Sequence, residues 1–151
     1  KGTFGFVLNN FLDIDLHKID SNFPNINARI GFGGPVSKDS LFFIHSFGEK
    51  VKDSLKIQKE LYYGGDFDDV CKILKEKPEL NDQIRFFIGY SGWDEKQLDD
   101  EFDQKSWITV NNIDKSLILD TEQKDLWKTA LEKQKGKFKM ISKFPNNPSD
   151  N

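Results

Sequence analysis

The sequence predicts an α+β fold in a single domain. Strand patterns mostly follow strand patterns and helix patterns come only late, while the most apolar run, residues 84–90, is apolar on both faces and so belongs at the centre of a sheet. A chain of 151 residues is long enough for one core and has no internal repeat.

Taken in order, Phe4, Phe6 and Leu8 alternate as a strand, which Asn9-Asn10 breaks. The pattern starts in full stride, as if upstream of it the chain had been cut. Residues 13–19 suit one or two helical turns, and Ala28, Ile30 and Phe32 alternate again before Gly33-Gly34-Pro35 forces a turn. A buried strand follows at residues 41–44 and another at 54–57, and Tyr62-Tyr63 runs into Gly64-Gly65. The first clear helix has Asp66 as N-cap, Phe67, Val70, Cys71 and Leu74 on one face, and Pro78 as its stop. After the central strand, Ser91-Gly92-Trp93 is expected to turn into a second helix capped by Asp94, with Gln97 reaching back and Leu98 and Phe102 inward. Short strands are expected at 107–110 and 117–119, and a third helix is expected from a cap at Asp120 or Thr121 to a stop at Gly136. A last strand spans 138–141, so the domain runs over residues 1–143 and 144–151 form a frayed tail.

Composition narrows the function. Charged residues are 31% of the chain but nearly cancel, to a formal −3, which gives no global field for nucleic acid or an anionic membrane. There is no membrane-span-length apolar run and no signal-peptide pattern, so the expected location is the cytoplasm. One cysteine and two histidines are too few for a zinc site, and neither cofactor nor metal is predicted.

Several motifs invite chemistry, and each has a plainer reading. Gly89-Tyr90-Ser91-Gly92-Trp93 resembles a hydrolase elbow, but Trp93 stands where that elbow needs glycine, so a structural or ligand-binding turn is favoured over a nucleophile. His45 ends a buried strand, where it is either a general base or, as favoured, a partner for a neighbouring loop. Gln97 and Glu101 share a helix face. The run from Asp94 to Asp103 carries a local −5, best read as a solvated face. Lys124, Lys128, Lys133, Lys135, Lys137, Lys139 and Lys143 form the one candidate nucleic-acid surface, and because all seven are lysine rather than arginine a solubilising face is favoured. Gly33-Gly34-Pro35 lacks the spacing of a phosphate loop and reads as a turn.

Taken together, several separated motifs resemble the YqgE/AlgH family. They are Gly2-Thr3-Phe4-Gly5 with Asn9, Gly33-Gly34-Pro35-Val36, His45, Tyr63-Gly64-Gly65, Phe87 to Trp93, Gln97-Leu98 with Glu101, Ser106-Trp107, and Trp127. The closing Phe144-Pro145-Asn146-Asn147-Pro148 is similar to Bacteroidetes members. The resemblance implies a branched, mixed or antiparallel sheet curled into a partial barrel with about three flanking helices. It implies little chemistry, although members are often labelled transcriptional regulators. The chain departs from the family at Asn10-Phe11, where Lys-Pro is frequent, and at Lys96, where glycine is common; the resemblance also implies a strand segment upstream of Gly2.

The expected function is a non-enzymatic module that binds a small ligand or a protein at a site formed by Asn9, Gly33, Gly34, Pro35, His45, Tyr90, Ser91, Trp93, Gln97 and Glu101. The alternatives are a transcriptional regulator acting directly or indirectly, and an enzyme that gives Ser91 or Tyr90 the reactive role, with His45 as base and Glu101 as orienter.

Overall fold

A computed structural model describes residues 2–134. Seven strands form one open, mixed sheet in the order β2-β3-β7-β4-β6-β5, with β1 joined to β7 off that path. The strands are β1 (Thr3–Gly5), β2 (Phe11–Leu12), β3 (Ile30–Phe32), β4 (Val36–His45), β5 (Leu55–Gln58), β6 (Leu61–Tyr63) and β7 (Ile84–Trp93).

The apolar run at 84–90 is indeed central. One edge of β7 pairs antiparallel with β4, while the other pairs parallel with β3 over Phe86–Ile88 and then antiparallel with β1 over Ser91–Trp93. This change of partner along a single edge is the branch in the sheet.

Alternation along β7 divides the core. Ile84, Phe86 and Ile88 face a cluster with Phe23, Ile30, Phe43, Val70 and Leu74, beneath α2 (Phe67–Glu76). Phe87 faces the other way, onto Ile44, Leu61, Leu119 and the arm residues Phe6 and Leu8. Phe86 and Phe87 are 1% and 0% exposed, and burying each contributes about 2–3 kcal/mol. Arg85 points to the second side and is 1% exposed. Its guanidinium donates to Ile118 O at 2.7 Å and to Leu8 O, and so ties the N-terminal arm and α4 (Lys115–Leu119) to the sheet. Burial, then neighbouring Arg29, lowers its pKa to about 10, which leaves it charged at neutral pH.

The helices follow their caps. Asp66 accepts from the amides of Asp68 and Asp69 at the start of α2, and Cys71 lies buried on its inner face, where burial pushes the thiol pKa up. Asp15 caps the short α1 (Leu16–Ile19). Asp125, rather than Asp120 or Thr121, caps α5 (Leu126–Glu132).

Three further expectations are corrected. Residues 117–119 belong to α4 because the Asp114 carboxylate accepts from the Ser116 amide and starts a helical turn. Residues 107–110 form no strand. Phe102 of α3 (Gln97–Asp103) is 41% exposed rather than inward. The strand expected at 138–141 and the tail lie outside the described residues. None of the described helices is long and apolar enough to cross a membrane.

Candidate functional site

The strand β7 does not turn at Ser91 but runs on to Trp93. Gly89 makes this possible. With φ +71° it lies opposite the register shift between Val36 and Leu41 of β4, and a Cβ there would meet Gly34 O at 2.3 Å, so the β3–β4 turn packs directly against it. Gly34, at φ +154°, returns the contact, since its Cβ would lie 2.3 Å from the Tyr90 carbonyl carbon. Ser91 Oγ donates to Gly33 O at 3.2 Å, locking the two segments together.

Past Gly89, Tyr90 and Trp93 border an open hollow of about 560 Å³. Phe4 of β1, Val36 and Phe42 of β4 and Tyr63 of β6 complete its apolar wall, with Asp94 at the rim. The Phe4 ring lies 5.0 Å from Tyr63 and 5.9 Å from Tyr90, and Phe42 meets Tyr90 at 5.5 Å. Burial pushes the Tyr63 phenol pKa up, and the nearby Tyr90 adds to it.

The tryptophan wall is braced from behind. Trp93 Nε1–H donates to Glu101 Oε2 at 3.3 Å, and Trp107 Nε1–H donates to the same oxygen at 2.8 Å. Gln97 Nε2–H donates to Glu101 Oε1 at 3.1 Å, while its own Oε1 accepts the Asp94 amide at 3.0 Å, the reach-back expected of a capping box. Lys96, not Asp94, is the N-cap of α3, with φ +68° and no side-chain hydrogen bond.

The predicted site therefore sorts into three groups. Tyr90 and Trp93 line the hollow. Gly33, Gly34, Ser91, Gln97 and Glu101 support it from behind, and exposed Pro35 sits between Gly34 and Val36 beside it. Asn9 and His45 lie elsewhere. Asn9 borders a separate hollow of about 500 Å³ with Gln58, Ile113 and Trp127.

His45 is 0% exposed and pairs with Ile84 at the opposite end of β7 from Ser91, roughly 23 Å away at about 3.3 Å per residue. Its Nε2–H donates to Gly64 O at 3.0 Å and its Nδ1 accepts the Phe47 amide at 3.2 Å. This fixes a neutral tautomer, and burial lowers its pKa. A catalytic set of Ser91, His45 and Glu101 is thus not assembled.

Of the seven lysines, Lys124, Lys128 and Lys133 are exposed, and Lys135, Lys137, Lys139 and Lys143 lie outside the described residues. Phe4, Phe42, Tyr63 and Trp107 were missed as site residues. The alternation at Phe4 was legible, but nothing in the sequence shows that β1 joins the far end of β7.

A family model described as AlgH-like matches residues 1–139. The chain belongs to the AlgH-like family. Among its relatives, a UPF0301 protein of Parabacteroides distasonis is 38% identical over 97% of this chain and 75% of its own length. One from Bacteroides thetaiotaomicron is 35% identical over 100% and 76%. The AlgH-like fold also matches solved structures: a Corynebacterium diphtheriae protein at TM-score 0.74 and 17% identity covers 95% of this chain and 76% of its own. The Pseudomonas aeruginosa AlgH protein gives 0.69 and 21%, over 97% and 79%. These likenesses agree with the branched, partly curled sheet and leave the chemistry of the AlgH-like hollow to its own residues.

Proposed function

We propose that this AlgH-like chain is a non-enzymatic binding module that takes an apolar, ring-sized group of a small ligand or protein partner in the hollow at the end of β7. One observation carries the reading: aromatic rings from four strands border a solvent-open space of about 560 Å³, and Phe4 remains 49% exposed there. That volume falls within the roughly 300–1,000 Å³ of ligand pockets, and apolar walls with a few polar groups are their usual lining. The backbone and side chains behind the hollow are tied into fixed positions, so little order has to be created on binding.

A binding role fits better than catalysis. Ser91, His45 and Glu101 each spend hydrogen bonds on the protein itself, and His45 lies at the opposite end of β7 from Ser91. Nor does the hollow suit a phosphate backbone, because Asp94 lines it and α3 brings further carboxylates beside it.

The test is a thermal-shift and calorimetric screen of small aromatic compounds against the wild-type chain and a Tyr90→Ala variant. Binders that stabilise the wild type and lose at least about tenfold affinity in Tyr90→Ala support the reading. Binders indifferent to that substitution contradict it.

A further inference from the structure

Beyond the hollow, on the other side of Trp93, lies a second apolar surface that the core does not explain. Phe102 is 41% exposed, and Trp107 and Ile108 are each 44% exposed. Trp107 meets Trp93 edge-on at 5.7 Å and Phe102 at 6.4 Å, so the rings run on from the hollow without a break. Glu101 pins the Trp107 indole, and a ring already held in place gives up little freedom when a partner covers it.

Acidic charge is concentrated on the adjoining helix, while exposed Lys105 lies between Phe102 and Trp107 in sequence. Residues 94–103 hold six carboxylates against Lys96, a local −5 in a chain whose total is −3. Asp99, Asp100 and Asp103 are exposed on α3, the helix that carries Phe102. Among the described residues, no group of His, Cys, Asp or Glu is arranged to hold a metal ion. A pinned aromatic surface beside an acidic helix is complementary to lysine or arginine side chains interleaved with apolar ones, through both charge pairing and cation–π contact.

We infer that Phe102 and Trp107, beside the Asp99 and Asp103 carboxylates of α3, dock a cationic, partly apolar polypeptide segment of another protein. This names the partner class for the proposed binding function and rests on that reading, because Trp93 belongs to both surfaces.

The experiment follows the three tryptophan indole N–H signals by NMR during titration with a synthetic peptide alternating lysine and leucine, and with its glutamate-for-lysine counterpart. The lysine peptide should shift Trp93 and Trp107 but not Trp127, which borders a different hollow. Its affinity should fall about tenfold between about 0.05 and about 0.5 M NaCl. A combined Asp99→Asn, Asp100→Asn, Asp103→Asn variant with an unchanged free spectrum should bind about tenfold more weakly.

Equal binding of both peptides would overturn the cationic assignment and leave the hollow's role standing. If neither peptide nor small aromatic compounds move Trp93, both readings fall. Self-association that shifts the same two signals without peptide would overturn the inference in favour of a second copy of the chain.

Discussion

Trp93 and Trp107 donate their indole N–H groups to one and the same oxygen of Glu101, and their rings meet edge-on 5.7 Å apart. A wall of the hollow and a neighbouring exposed ring are therefore held by a single carboxylate. Charge makes this acceptor stronger than a neutral amide, and neutralising it tests the coupling.

Glu101→Gln should loosen both rings at once. Its amide offers one acceptor oxygen where the carboxylate has two, and it adds N–H groups that face other donors. The expected loss is about 1–2 kcal/mol of stability. NMR should show both indole signals moving together, whereas a change at one ring alone would place the brace elsewhere.

Gly89→Ala should be among the most damaging single changes. The site requires φ +71°, and the added Cβ would meet Gly34 O at 2.3 Å. We expect a cost of about 2–4 kcal/mol from backbone strain and displacement of the β3–β4 turn. Urea denaturation measures it.

Lys96→Gly should do the opposite. Lys96 holds φ +68° as N-cap of α3 without a side-chain bond, a conformation that costs an L-residue about 1–2 kcal/mol. Glycine removes that strain at some cost in unfolded-state entropy, so a net gain of about 0.5–1 kcal/mol is expected in the same denaturation assay.

His45 should make stability fall with acidity. Its folded pKa lies below the ordinary 6.5 because of burial, so below pH 6.5 the unfolded chain takes up a proton that the folded chain refuses. Stability from this group is full above 6.5 and declines as pH drops through it, by up to about 1.4 kcal/mol per pH unit. Urea midpoints between about pH 5 and about pH 8 should show this slope, and His45→Gln should flatten it.

The parts of the fold fixed by local chemistry were legible in the sequence. The helix at 67–76 follows from Asp66 and its apolar spacing, and the central strand follows from an apolar run longer than one face requires. Residues 117–119 were misread because three apolar residues in a row carry no period, and Asp114, the cap that decides for helix, lies outside that run. At the candidate site, Tyr90 was legible as the end of a dry strand, whereas Trp93 was expected in a turn and instead ends β7. Phe4 and Tyr63 were not legible, since they reach the hollow through pairings between strands distant in sequence. His45 was included in the predicted site by its place at a strand end, but the favoured reading, a partner for a neighbouring loop, agrees with its bond to Gly64 O.

The most direct measurement is a backbone ¹H–¹⁵N NMR map of the chain titrated with a small aromatic binder from the screen. Shift changes should concentrate at Thr3, Phe4, Val36, Tyr63, Tyr90, Gly92 and Trp93. Changes centred instead on Asn9, Asn111 and Trp127, with the end of β7 unmoved, would contradict the account.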